Sequence, residues 1–587
     1  MKLVFREYLA SLRERRELDV VLPDLLSELG YTVISPPSVG TRQFGVDVAA
    51  IGLDDDGEEK IFLFSIKQGD LLRADWDGTP QALRSSINDI IDFYIRVRIA
   101  EQHRQLKIVI CLCFGGDVHE AVRDNLTQFT KSLTNDQISF QEWNGDYLAG
   151  QLSKGVLRQQ LVDKKLRGSF QKSVAMLDEP DIAYKHFSHL LNGLLSTDNL
   201  TPQSRLTSLR QAYICLWVLF VWARDAGNLE APYRSSELAI LKAWDHIKGD
   251  IETGKKLSED IGATFAELVN LHFQIWDELL GKKILPYVHL RHGISSSVKS
   301  STPVDVNLKL FEILGRIAQR GLWILWHQSW GDTVPAPYLD SRQEAEVLAS
   351  QVRNLIDNNR CLLSPISDEH SIDIAITVIF LSMMKKWQPL AQNYCDHLLE
   401  SYLLSYSTHG KYPTTYGSYK NLISHPQEQT EEYRKNQTKG STLLPLISAW
   451  ASSQGETVNS REFSHFAKEK LKHCNMQFWI PGADSEAQIY NGLAGHGMVL
   501  TDVPITSDGN AIVDMLESEA ACNKHFNNLS AIKLGHWPIL VMACRHHRLP
   551  IPPHLWLPLL KNVRDCSLPI ESTVEVDAHT TVMTKPR

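Results

Sequence analysis

Residues 41–70 read TRQFGVDVAAIGLDDDGEEKIFLFSIKQGD, and this stretch decides the architecture of the N-terminal part of the chain. Two apolar runs, about Val46 to Leu53 and about Lys60 to Lys67, flank Asp54-Asp55-Asp56-Gly57. Asp tolerates unusual backbone angles and Gly supplies positive φ, so the spacing predicts a hairpin with a tight acidic turn. The turn's acids lack the alternating spacing and distal Glu of a calcium loop and read as a solvated turn. Side chains alternate faces along a strand. Ser65 and Lys67 therefore share one face, and Phe62, Phe64 and Ile66 the other. The apolar face requires a core, and the Ser/Lys face is expected beside Asp47 at one end of the hairpin. An acid on one strand and a Lys closing the next suit hydrolysis. The carboxylate can hold a divalent cation, while the ammonium positions an attacking water and offsets charge in the transition state.

Outward from the hairpin, the elements alternate. Residues 4–29 carry Leu9, Leu12, Leu18, Val21, Leu22, Leu25, Leu26 and Leu29 at helical spacing. Pro23 is expected to divide or kink this helix, and Gly30 to stop it. Tyr31 to Ile34 reads as a short strand. A helix is predicted from Pro80 to about Gln102, and a strand covered on both faces from Leu106 to Phe114. Val118 to Leu133 is again helical, Ile138 to Trp143 alternates as a strand, and a last helix starts near Tyr147. Helix, three strands, helix, strand, helix, strand, helix is the order of an α/β domain with a mixed central sheet.

These residues resemble the PD-(D/E)xK nuclease superfamily, and within it the restriction-endonuclease-like Mrr type. Gly45-Val46-Asp47 matches the family's G-[IV]-D strand, and Lys67 its closing lysine. Ser65 stands where the family has Glu, Asp or Gln. LDVVLPDLLSELGYTV is similar to the family's opening, in which an acid lies eleven residues before the Gly of LGY; here that acid is Asp19, with Glu17 and Glu28 as competitors. The resemblance covers about residues 5–160. It implies a catalytic set of Asp47, Ser65 and Lys67, and a Mg2+ or Mn2+ site built from Asp47, the Ile66 carbonyl and Asp19. It also implies Gln68 near the nucleic acid, and phosphodiester cleavage of DNA in a bacterial restriction or anti-phage setting. Glu59 and Asp70 are candidates to compensate for Ser65.

A chain of 587 residues exceeds one ordinary core. The formal charge of −9 supplies no global basic field, so any nucleic-acid site must be local. Nine cysteines without a CxxC pair point to a reducing cytoplasm without disulfides or a zinc knuckle. The N-terminus lacks a signal-peptide core, and the longest uncharged run, Gln211 to Ala223, is shorter than the ~20 residues a membrane span needs. The expectation is a cytoplasmic protein without a membrane segment.

After Lys164-Lys165-Leu166-Arg167 the patterns become helical and stay so, with Trp217, Trp222, Trp244, Trp276, Trp323, Trp326 and Trp330 as core anchors. The expected layout is an α/β domain over 1–165, a helical domain over 169–406, and a polar loop or linker over 407–441. A helical subdomain over 442–566 and a tail over 567–587 follow. Gly293 to Asp305 is Ser-rich and reads as a loop. In 407–441, Lys411, Lys420, Arg434 and Lys435 interleave with tyrosines; this is either a strand-binding surface for nucleic acid or a solvated linker. Gly492 to Gly497 lacks the Gly-Lys-Ser/Thr of a phosphate loop. SPISDEH (364–370) reads as a helix cap, and CRHHR (544–548) as a helix-end charge cluster or partner-facing surface. Three functions stand: a metal-dependent nuclease with a helical module for sensing or assembly through a protein partner or a second copy, a non-catalytic nucleic-acid-binding subunit, or a helical protein-binding scaffold.

Overall fold

A computed structural model describes residues 5–6, 9–10, 12, 18–35, 44–54, 56–79, 82–154, 164–196, 201–251, 256–300, 302–329, 341–408, 410–415, 417–493 and 496–567. Glu17, residues 41–43, Asp55, Pro80, Trp330, Tyr416 and the tail from 568 lie outside them, as do the side chains of Glu28, Lys164 and Lys165.

Helix α1 (Asp19–Glu28) precedes β1 (Thr32–Ser35), β2 (Val48–Leu53) and β3 (Glu59–Lys67). Pro23 sits inside α1 and does not end it. Gly30 ends the helix at φ +90°: its amide donates to Ser27 O, and the Tyr31 amide donates to Leu26 O at 2.9 Å. After β3 come α2 (Arg73–Asp77), α3 (Leu83–Asp89, continuing through the π-turn Ile90–Tyr94), β4 (Lys107–Phe114), α4 (Glu120–Leu133), β5 (Ile138–Trp143) and α5 (Gly145–Lys154). The sheet order is β1-β2-β3-β4-β5; the first two pairings are antiparallel and the last two parallel. The chain thus carries an N-terminal mixed sheet of five strands, followed by a largely helical region.

Both sheet faces are covered, which corrects the two-faced reading of β3: every residue from Lys60 to Lys67 is buried. The face of Ser65 and Lys67 is also the face of Ile61 and Leu63. With Ile110, Leu112, Leu83, Ile87, Val122 and Leu126 these form one core, under α3 and α4. Each such side chain contributes about 1.5–3 kcal/mol. On the opposite face Phe62 packs edge-on to Tyr31, and Phe64 edge-on to Trp143. Gly52 makes room there, since a Cβ would lie 2.4 Å from the Tyr31 ring.

The chain divides into two compact units, Met1–Lys283 and Ile284–Arg587. In the first unit α6 (Lys164–Ala175), α7 (Pro180–Leu194), α8 (Pro202–Asp225), α9 (Glu230–Ile251) and α10 (Lys256–Trp276) follow the sheet. Arg210 of α8 lies 3.9 Å from Asp24 of α1, joining helices to the α/β part. By length and composition α8 could cross a membrane, but 83% of its most apolar window is buried within the protein. Trp217, Trp244 and Trp276 are buried core anchors.

The second unit holds α11 (Pro303–Ser329), α12 (Ser341–Asn358), α13 (His370–Ser382), α14 (Gln388–Ser407), α15 (Tyr419–Ser424), α16 (Glu431–Gln437), α17 (Leu443–Ala451), α18 (Val458–Lys470), α19 (Asn510–Cys522), α20 (Trp537–His546) and α21 (Leu557–Ser567). Two small sheets, Gly440–Ser441 with Asn475–Met476 and Phe478–Ile480 with Met498–Leu500, interrupt what reads in sequence as all-helical. The expected linker 407–441 contains two helices, each with a hydroxyl cap from Ser418 or Thr430. The Ser-rich stretch 293–305 includes the short helix Gly293–Ser297 and the start of α11. Among the described residues, eight cysteines are free thiols.

Candidate active site

The sheet topology brings Asp47 and Lys67 to the same edge. β2 runs opposite to β3, so the entry to β2 lies beside the exit of β3. Gly45 lets the chain enter there: its φ is +80°, and a Cβ would lie 2.2 Å from Ser86 O. The Asp47 amide then donates to Phe64 O at 2.8 Å, and the Asp47 carboxylate accepts from the Ile66 amide at 2.7 Å. Asp47 is half-buried. Burial, with the Asp47 charge adding to it, pushes the Cys113 thiol well up; Cys113 pairs with Ile66 across β3 and β4.

Ser65 and Lys67 are 1% and 9% exposed, so this corner is enclosed. The Ser65 hydroxyl is buried with no hydrogen-bond partner among the described residues. Gln68 is exposed just beyond the strand. Asp19 opens α1, which packs on β1 and β2, and is half-buried.

The two acids named as candidates to compensate for Ser65 stand elsewhere. Asp70 accepts from the Asp117 amide at 2.8 Å and so ties the β3 exit to the β4 exit. Glu59 is exposed at the far end of β3. The β4 and β5 exits are closed by backbone: a Cβ on Gly115 would lie 1.8 Å from Leu9 O, and one on Gly145 2.1 Å from Gly115 O. Arg6 adds an ion pair to Asp117.

At the hairpin's other end the acidic turn is not simply solvated. Asp54 holds the buried Lys60 ammonium at 2.7 Å and accepts from Gln141 at 3.0 Å, and Asp56 also contacts Lys60. Hydrogen bonds to Asp54 and Asp56 raise Lys60 to about 12. Sequence spacing concealed this staple because Lys60 reads as an ordinary strand-edge lysine.

The basic residues of 407–441 belong to the second unit. Lys411 donates to the carbonyls of Leu422 at 3.0 Å and Ile423 at 2.9 Å, and to that of His425. Its ammonium caps the end of α15 and is committed to structure, contrary to the nucleic-acid role. Arg434 lies 5.1 Å over the Tyr406 ring, Lys435 pairs with Glu431 at 2.8 Å, and Lys420 is exposed.

The donors at the Asp47 corner are all oxygens: a carboxylate, a backbone carbonyl and an orphaned buried hydroxyl. Magnesium and manganese take donors of this kind. Among the described residues no group of three or more His, Cys, Asp or Glu converges on one point. The set therefore fits such a cation in kind, with Asp47 contributing charge. No family model, no curated protein and no solved structure matches the chain.

Proposed function

We propose that the N-terminal domain is a restriction-endonuclease-like, metal-dependent nuclease that cleaves phosphodiester bonds of DNA. The helical remainder would sense or assemble, in a restriction or anti-phage role. The observation that carries this reading is the 2.7 Å bond from the Ile66 amide to the Asp47 carboxylate, one residue from Lys67. A cation bound at this corner would polarise the phosphoryl group and lower the pKa of a bound water. Asp47 would supply the charge that holds it, Ile66 its carbonyl and Ser65 a neutral oxygen. The Lys67 ammonium, fixed on the same strand, would position the scissile phosphate and offset its growing charge. Burial strengthens such interactions by excluding water.

A non-catalytic nucleic-acid-binding role is the second reading. It is favoured by Ser65: with a hydroxyl in place of an acid there, the corner holds less negative charge than it would with a carboxylate at that position. The full-length protein incubated with linear and supercoiled DNA in Mg2+ or Mn2+ separates the two. Cleavage that EDTA abolishes, and that Asp47→Asn and Lys67→Met each reduce by about 100-fold or more, supports the nuclease. Salt-sensitive DNA binding without cleavage supports the second reading. Cleavage that both variants retain would remove this corner from consideration.

A further inference from the structure

Two stretches that the sequence keeps apart, 364–370 and 544–548, meet in the second unit. There they border a cavity of about 170 Å3 lined by Ser367, Asp368, Glu369, Thr415, Thr442 and Arg548, among others. We propose that this cavity binds a neutral, polyhydroxylated ligand the size of one sugar ring. The proposal is independent of the nuclease reading of the first unit.

Arg548 is placed with care. The Leu549 amide donates to Cys544 O at 2.8 Å and the Arg548 amide to Arg545 O at 3.3 Å, which closes α20 in the motif where glycine is usual. Arg548 adopts φ +55° there, a conformation that side chains disfavour. Its side chain then donates to Asp373 at 3.0 Å and to Glu369 O at 3.1 Å, and lies 3.6 Å from the Glu369 carboxylate. Asp373 is 1% exposed, and α11 carries Gly315 against it, where a Cβ would lie 2.1 Å from Oδ1. Asp368 does not cap its own helix. It accepts from Ser441 at 2.5 Å, from the Thr442 hydroxyl at 2.9 Å, and from the Thr442 and Leu443 amides at 2.8 and 3.3 Å. The walls are thus rigid before any ligand arrives.

Charge selects the ligand class. Arg548 is paired with Asp373 and stands beside Glu369, and Asp368 is spent on four hydrogen bonds, so the lining offers hydrogen-bonding groups whose charges are already engaged, which suits a neutral partner. The Glu369 carboxylate is exposed and accepts readily, and the guanidinium carries five N–H groups, more than its described contacts use. A carboxylate that accepts from two neighbouring hydroxyls, beside a guanidinium that donates to a third oxygen, recognises a vicinal diol. Ile372, Pro550 and the threonine methyls offer an apolar wall to the C–H side of a ring. The volume is below the roughly 300–1,000 Å3 of pockets for larger ligands, so one ring fits.

Ligand-observed NMR and calorimetry on the full-length protein with D-ribose, D-glucose, adenosine and inorganic phosphate test this. Saturable binding of at least one sugar or of adenosine is expected, weakened about tenfold in Glu369→Gln and severalfold in Thr415→Val. Phosphate is expected not to compete. Tighter binding of adenosine than of ribose would assign the ring to a nucleoside; equal or weaker binding would assign it to a free sugar. Both substituted residues are exposed, so unchanged thermal melting verifies the fold. No saturation by any sugar or adenosine up to about 50 mM overturns the proposal, as does binding that both variants retain or that phosphate displaces.

Discussion

The Asp47 carboxylate accepts the Ile66 amide at 2.7 Å, so one side chain at the entry to β2 closes the last amide before Lys67 on β3. Asp47→Ala leaves that amide without its acceptor and should cost about 1–3 kcal/mol, read as a lower urea midpoint at constant m-value. Asp47→Asn keeps an acceptor and removes the charge. It should stay within about 1 kcal/mol of wild type while abolishing metal-dependent cleavage. An active Asp47→Asn protein would show that the carboxylate's role is only to join two strands.

Ser65 gives a prediction of opposite sign. Its hydroxyl is buried without a partner, so Ser65→Ala removes an unsatisfied group. Stability should rise, by about 0.5–1 kcal/mol, against the usual direction for a core substitution. If Ser65 Oγ serves a cation, the same variant should need more Mg2+ for half-maximal cleavage. A stable variant with an unchanged Mg2+ requirement would leave the hydroxyl no part in the chemistry.

Lys411 separates a structural lysine from a nucleic-acid contact. Lys411→Met leaves the carbonyls at the end of α15 without their cationic donor and should destabilise the second unit by about 2–3 kcal/mol. The salt dependence of DNA binding should not change. A phosphate contact would instead lower the slope of log K against log salt by about 1.

His425 should make the second unit acid-sensitive. Nε2 lies 3.1 Å from Tyr412 O, a carbonyl that can only accept, so Nε2 carries the proton and Nδ1 accepts from the Tyr433 hydroxyl at 3.0 Å. Burial lowers the ring from 6.5 to about 4. A folded pKa below the unfolded one means stability fully present above about pH 6.5 and lost as pH falls toward 4. Thermal melts of wild type and His425→Gln between pH 7 and 4 check this: the variant should melt lower at pH 7 and lose less on acidification. Parallel curves would remove His425 as the source.

What was legible in sequence was what depends on local period. The apolar runs of β3 and β4 and much of the helical spacing after 180 correspond to elements, because burial on a regular backbone leaves a regular trace. The unit boundary at 283–284 and the Asp24–Arg210 pair have no local trace, being contacts between distant segments. That Asp47 and Lys67 lie at one sheet edge could be read in advance because strand direction alone fixes it. Arg548 was missed as a cavity residue because its partners, Glu369 and Asp373, lie about 175 positions away.

The bare backbone where Gly115, Gly116 and Gly145 press together has a consequence for how this domain can change. Those turns admit no side chain, so mutation cannot carve a new recognition surface over β4 and β5 without first prising the strand ends apart. If the sheet edge recognises a ligand, drift in its selectivity is channelled to the neighbouring rim at Phe44 and Gln68, since Gly45 admits no side chain either. A library aimed at altered selectivity should be randomised there.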